Sequence, residues 1–194
     1  FRVIRLDGYT GTAKTEVLNR VGRLGGQVID LEGLARHRGS ILGDVVGDQP
    51  SQKAFESALI AALSGLDPAR PLLVEAESAR IGRLRLPLEA STTARARYLA
   101  GVYAELVADA EGLARRLNGL RPLAGNATVD DWLALLASGA AEALAASLID
   151  LHYDPAYGRL RRADESPVLA RIDAGDLGDP ALDRAARAVA THLG

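Results

Sequence analysis

The amino-acid sequence predicts an α/β fold: a parallel sheet with crossover helices, followed by a mainly α C-terminal part. Three observations carry this. Short β-type runs at residues 2–6, 27–30 and 71–75 alternate with helical patterns at 15–24 and 51–64, and strand–helix–strand order favours parallel strands joined by crossovers. A Gly- and Thr-rich turn occupies residues 8–15, between the first strand and the first helix. Beyond Arg80 the chain becomes rich in Ala, Leu and Arg and reads as helix almost to its end.

Each element has a local reason. Residues 2–6 alternate and carry β-branched side chains. Residues 15–24 put Val17, Leu18, Val21 and Leu24 at helical spacing, and Gly25-Gly26 stops that helix. Residues 27–30 form a short strand of the buried type, and 31–50 are irregular. Ser51 is expected to cap a helix through Ser64 with Phe55, Leu59, Ile60 and Leu63 on its apolar face. Residues 71–75 form the third strand. A long helix is predicted over 95–120, then helices over 128–137 (Thr128 as cap), 140–151 and 180–193, the last with Pro180 in its first turn. Residues 168–172 read as a final strand. Trp132 and Phe55 are expected in the core and His192 in the tail. The expected division is an α/β core over 1–93 and a mainly helical part over 94–194.

Composition narrows the function classes. The 194 residues, 48% hydrophobic and 25% charged, suit one globular domain, with or without a small appendage, rather than a disordered chain. No apolar run approaches the ~18 residues of a membrane span. No basic–apolar–small leader opens the sequence, so a cytoplasmic rather than secreted protein is expected. Cys is absent, which excludes disulfides, thiolate nucleophiles, Cys-ligated zinc and iron–sulfur clusters within these residues. The net charge of −2 means that nucleic acid would have to bind a local basic patch. Met is also absent, and Phe1 starts almost directly on a strand. Residues 81–95 are short where a fourth strand and a crossover are wanted. Both features predict that residues of the full protein are missing from this sequence, unless the sheet is small.

The turn reads Gly8-Tyr9-Thr10-Gly11-Thr12-Ala13-Lys14-Thr15. A P-loop needs GxxxxGK[ST] between a strand and a helix. Its glycines let amides turn inward around phosphate oxygens, and the following helix adds its positive end. Gly8, Gly11, Thr12, Ala13, Lys14 and Thr15 are therefore the phosphate-binding candidates. Lys14 would bridge phosphates and Thr15 would ligate Mg²⁺. Lys14 also stands out because Lys supplies only Lys14 and Lys53 of the 23 Lys and Arg residues. Ala13 departs from the pattern. At positive φ it costs ~1 kcal/mol or somewhat more; in a helical conformation it costs nothing. The plain alternative is a Gly-rich turn with an exposed Lys.

Other candidates cluster around this loop in sequence logic. Glu75 or Glu77, ending the third strand, is suited to hold Mg²⁺ through water or to orient a nucleophile; the alternative is a solvated edge, and Asp30 carries the same ambiguity. His37-Arg38-Gly39-Ser40 falls in a loop at the carboxyl edge of the sheet, where ligands bind. Arg38 suits phosphate, and His37 suits an acid, a base or a hydrogen-bond donor to phosphate. Gln49, Ser51 and Gln52 sit at a helix start and suit an anion or a base edge, besides capping. Arg80, Arg83, Arg85, Arg95 and Arg97 form the densest basic stretch, fit for RNA phosphates or simply solvated; Arg159, Arg161 and Arg162 could extend it. Tyr153 and Tyr157 either stack on an unpaired base or pack their turn onto the sheet, and packing is favoured.

Longer motifs are more specific. VIDLEGLARHRGSILGDVVGDQPSQKAFE (28–56), VEAESARIGR (74–83), ARARYL (94–99) and LHYDPAYGR (151–159) together resemble the bacterial tRNA 2-selenouridine synthase family, also described as selenophosphate-dependent. The resemblance spans about residues 6–162. It implies a P-loop NTPase-like fold for this chain, and a separate rhodanese domain carrying a catalytic Cys, in cis or in trans. The family is longer between its IGR and ARARYL motifs. The resemblance also implies the chemistry: geranyl passes from geranyl diphosphate to the sulfur of wobble 2-thiouridine in tRNA, and selenium derived from selenophosphate then replaces the geranylthio group. On that basis Lys14, Thr15, Glu75, His37 and Arg38 are the expected catalytic residues. Ser40, Gln49, Gln52, Arg80, Arg83, Arg95, Arg97, Tyr153 and Tyr157 are expected to meet substrate or tRNA. Amides of residues 11–15 with Lys14 would stabilise the charge growing on a departing diphosphate. A Mg²⁺-dependent kinase or NTPase, or a non-catalytic tRNA-binding module, are the alternatives.

Overall fold

The computed structural model describes residues 1–37, 49–75, 84–107, 109–162 and 165–194. Five strands are formed: β1 (Val3–Gly8), β2 (Gln27–Ile29), β3 (Leu72–Glu75), β4 (Leu84–Glu89) and β5 (Ile172–Asp173). They form one sheet in the order β2-β3-β1-β4-β5, with every pairing parallel. β1 is central and buried from Ile4 to Gly8, as expected of a parallel strand covered on both faces.

On one face lie α1 (Lys14–Arg23) and α10 (Asp179–Ala190). Val17, Leu18 and Val21 of α1 and Leu182, Ala185 and Val189 of α10 close over Ile4, Leu6, Leu73 and Leu86. Arg20 ties the two helices together through Asp179 and Asp183. On the other face α3 (Gln52–Ser64) sets Leu59 and Leu63 against Ile29, Leu72 and Val74. Ser51 caps α3 as predicted, accepting from the Ala54 amide. The expected apolar face holds only in part: Ile60 is exposed and Phe55 is half-buried, not core.

A helical layer follows β4: α4 (Thr92–Val107), α5 (Ala110–Gly119), α6 (Arg121–Ala124), α7 (Asn126–Ala137), α8 (Ala141–Leu148), a π-helical turn (Ile149–Tyr153) and α9 (Asp154–Arg162). Its core gathers Leu113, Leu117, Val129, Leu144 and Leu148 around Trp132, whose Nε1 donates to Ser147 Oγ at 2.9 Å.

Several sequence expectations are corrected. The short stretch 81–95 does supply a fourth strand, β4, with Pro87 in its middle. The Arg85 amide donates toward β5, to the Pro167 carbonyl. Two residues on, the Pro87 nitrogen faces the same side, where no ladder bond is needed. The region 31–50 contains a short helix, α2 (Leu31–Ala35), capped by Asp30 through the Gly33 amide. The expected helix 95–120 is two helices, with Asp109 capping the second. α7 begins before Thr128, after Gly125 at φ 87°. The helix expected at 140–151 runs on through the π turn into α9. The last strand is Ile172–Asp173; Val168 makes only a bridge to Arg85. β5 and α10, from the mainly helical part over 94–194, return to the sheet and complete its core.

Candidate functional site

The loop after β1 is shaped by two glycines and a left-handed alanine. A Cβ on Gly8 would stand 2.4 Å from Thr12 Oγ1, and one on Gly11, at φ 82°, would stand 2.9 Å from Leu99 Cγ. Both positions therefore require glycine. Thr12 is buried and folds the loop back, its hydroxyl donating to the Tyr9 carbonyl at 2.9 Å. Ala13 takes φ 57°, ψ 37°, the left-handed conformation, so its departure from the motif carries the strained cost of about 1 kcal/mol. No side chain caps α1. Its first-turn amides have no partner within the helix, and the positive end of the helix faces the loop. Lys14 Nζ lies over this loop, donating to the Gly8 carbonyl at 3.0 Å and the Tyr9 carbonyl at 3.5 Å. Thr15 is half-buried on the first turn.

The helical layer reaches across to hold the loop. Arg95 of α4 is only 3% exposed. Its Nε donates to the Thr10 carbonyl at 2.8 Å, while its two terminal nitrogens grip Asp154 at 2.9 and 2.5 Å. Its guanidinium also lies 5.1 Å from the Tyr9 ring centroid. Such a two-pronged carboxylate pair fixes direction as well as distance. Asp154 opens α9 directly after the π turn, a type of irregularity that re-aims side chains and recurs at functional sites. One turn further, Tyr157 stands 6.5 Å from the Tyr9 ring and 5.8 Å from Lys14 Nζ, within range of a cation–π contact.

Acidic groups complete the surroundings. Asp7 accepts from the Gly8 amide at 2.7 Å and lies 3.6 Å from Arg85, steadying the entry to the loop. Glu75 is fully buried at the end of β3, its Cα in register with Leu6 of β1. A solvated edge is thus ruled out for Glu75. Asp30, in contrast, is used as the cap of α2.

Other expected site residues fall elsewhere. Arg95 is a buried loop clamp, so its expected tRNA contact is corrected: the guanidinium is spent inside the fold. Tyr153 is 4% exposed in the helical core with His152 5.1 Å away, so it packs and does not stack on a base. Gln52 is exposed on α3 and bonds Glu56, and Gln49 is exposed beside it. His37 follows Arg36 (φ 49°) beyond β2, with β3 standing between β2 and β1. Arg97 is exposed and 3.6 Å from Glu142. Arg38, Ser40, Arg80, Arg83 and Glu77 lie outside the described residues. Sequence reasoning passed over Tyr9, Asp7 and Asp154. The available signals were an Asp directly before the first motif Gly and the Asp-Pro inside LHYDPAYGR. Among the described residues, no group of three or more His, Cys, Asp or Glu gathers as a metal-ligand set, and no helix is long and apolar enough to cross a membrane.

Comparisons with known proteins add an independent line. The family model described as "tRNA 2-selenouridine synthase AAA domain" matches residues 1–111. A protein named tRNA 2-selenouridine synthase from Cupriavidus necator is 34% identical over 216 residues, covering 90% of this chain and 58% of that protein. Proteins of the same name from Shewanella halifaxensis and Alcanivorax borkumensis are 35% and 50% identical, over 68% and 42% of this chain and 43% and 22% of theirs. The chain thus spans 58% or less of the length of these relatives. A solved structure, "Crystal structure of TT1252 from Thermus thermophilus", is 16% identical with a TM-score of 0.46, covering 99% of this chain and 97% of that one.

Proposed function

The chain belongs to the tRNA 2-selenouridine synthase family, and on that premise we propose that it is the diphosphate-binding module of a tRNA-modifying transferase. Its P-loop receives the diphosphate of geranyl diphosphate while the geranyl group passes to the sulfur of wobble 2-thiouridine. The allylic C–O bond breaks and its electron pair stays on the diphosphate oxygen, a C–S bond forms from the sulfur lone pair, and the ring N3–H proton is released to water or the departing diphosphate, leaving a neutral S-alkylated ring. Amides of the first turn of α1 and the Lys14 ammonium are suited to stabilise that oxygen as its charge grows. Lys14 leaves the Gly8 and Tyr9 carbonyls to do so. Arg95 and Asp154 keep the loop in shape without meeting the substrate. Replacement of the geranylthio group by selenium from selenophosphate then needs the rhodanese domain, whose chemistry has no Cys to run on in this sequence. The Thr15 hydroxyl and the Glu75 carboxylate are hard oxygen donors that suit Mg²⁺, which would neutralise charge on the diphosphate when bound.

One observation carries this reading: an uncapped helix start behind a left-handed Ala13, with a lysine folded over the same loop. The test is Lys14→Ala. Removing a charge-assisted contact costs ~1.5–3 kcal/mol, so calorimetry should show geranyl diphosphate bound about tenfold or more weakly. In the complete enzyme, mass analysis of thiolated tRNA should show geranylation lost; undiminished geranylation would remove Lys14 from the mechanism. The buried Glu75 near the P-loop strand favours one second reading, a Mg²⁺-dependent kinase or NTPase. Tight ATP binding with turnover, and no affinity for geranyl diphosphate, would select it.

A further inference from the structure

An open cleft of about 500 Å³ lies beside the phosphate loop, at the carboxyl ends of β4 and β5 where open parallel sheets bind ligands. Its volume falls within the ~300–1,000 Å³ of small-molecule sites. Tyr9 and Thr12 of the loop form one wall, Leu88 and Glu89 at the end of β4 another, and Arg95 and Arg171 border it. We propose that this cleft is the slot for the acceptor base, a uracil-type ring, an assignment that rests on the reading above and places its second substrate.

The chemistry of the walls decides the occupant. A prenyl chain would set its hydrocarbon against Glu89 and Arg171 and strip water from charges without replacing it, which is unfavourable. A pyrimidine instead brings polar edges to those groups and a ring face to Tyr9. Arg171 donates to Glu89 at 2.6 Å, with side chains 62% and 51% exposed. A pair so exposed contributes little to the fold and opens easily. Opened, it offers a carboxylate acceptor beside a guanidinium donor. Uracil and 2-thiouracil present the complement, an N3–H donor next to the O4 acceptor. Because Tyr9 and Thr12 belong both to the slot and to the phosphate loop, a base seated here stands next to the diphosphate that leaves.

The test uses an anticodon stem–loop RNA with uridine at the wobble position and the same RNA with 3-methyluridine there, which lacks the N3–H. The wild-type chain should bind the methylated RNA about tenfold more weakly, within the range of one two-pronged base contact. Glu89→Ala, which removes the N3–H acceptor, should bind both RNAs alike, within about twofold, whereas Arg171→Ala, which removes the O4 donor, should weaken both RNAs and keep part of the preference. Both positions are exposed, and if Glu89→Ala fails to fold, the wild-type comparison and Arg171→Ala still decide. Equal binding of the two RNAs by the wild type, a full tenfold preference kept by folded Glu89→Ala, or unchanged binding by folded Arg171→Ala overturns the slot. Inorganic diphosphate titrated into the same wild-type protein reports separately on the loop: absence of binding there sinks the phosphate reading, while a persisting uridine preference keeps the slot.

Discussion

The sheet half and the helical layer bury different chemistry. On the sheet, Arg5, Asp7 and Glu75 are all at most 8% exposed. The core of the helical layer is apolar, and its indole N–H is satisfied by a serine. The buried charge that the layer contributes among the described residues, Arg95, stands at its border and donates to the β1–α1 loop at the Thr10 carbonyl. Buried ions are costly unless paired, so they persist where the chain uses them. The helical layer is thus a packing unit that meets the β1–α1 loop at one edge, where Arg95, Asp154 and Tyr157 stand.

Cutting into each region separately tests that division. The largest effect is expected from Trp132→Ala, which should remove about 3–5 kcal/mol of stability by denaturant titration. Diphosphate affinity of the folded fraction should stay within about twofold; a parallel loss of affinity would mean that the two regions are not separable. Arg95→Ala comes next. Breaking a buried pair typically costs about 3–5 kcal/mol, and solvent at Asp154, 30% exposed, should bring this down to about 2–3. Here diphosphate affinity should fall with stability, about tenfold by calorimetry, since the Thr10 carbonyl loses its anchor. A folded variant with unchanged affinity would show that the loop supports itself.

Ala13→Gly should act within the sheet half alone. It relieves the left-handed strain of about 1–2 kcal/mol, offset by about 0.5–1 kcal/mol for glycine's greater freedom in the unfolded chain and about 0.8 kcal/mol for the loss of a buried methyl, so that stability should stay within about 1 kcal/mol of the parent. A lowered melting temperature would show that the methyl matters more than the φ. The smallest effect is one of pH, in the helical layer. Burial pushes the His152 imidazole below its ordinary value, so the unfolded chain takes the proton more readily. Stability is then fully present above about pH 6.5 and declines as pH falls below it. In His152→Gln, melting curves from pH 7 to 5 should lose that part of the slope; an identical slope would dismiss the histidine.

Legibility followed the range of the interaction. The β1–loop–α1 unit, the Ser51 cap and the strand at 72–75 depend on neighbours a few residues away, and periodicity and capping rules find them. β4 was hidden because Pro87 argues against a ladder unless the unpaired side is known. The π turn leaves no local mark. Arg95 and Arg97 read alike in sequence, yet two positions apart they point to opposite sides of α4: one is buried on Asp154 and the other is 67% exposed. Neither the 59-residue separation of Arg95 from Asp154 nor the approach of Tyr157 to Lys14 could be read from spacing.

By itself the sequence determined that a strand would run into a glycine turn with a lysine at the head of a helix, because those preferences act within one or two turns of chain. Folding in three dimensions decided the rest: that Ala13 is left-handed, that an arginine and an aspartate from the helical layer lock the loop, and that β5 and α10 come back to complete the sheet. Those outcomes depend on which distant groups exclude water together, and burial of that kind is set by the whole packed molecule.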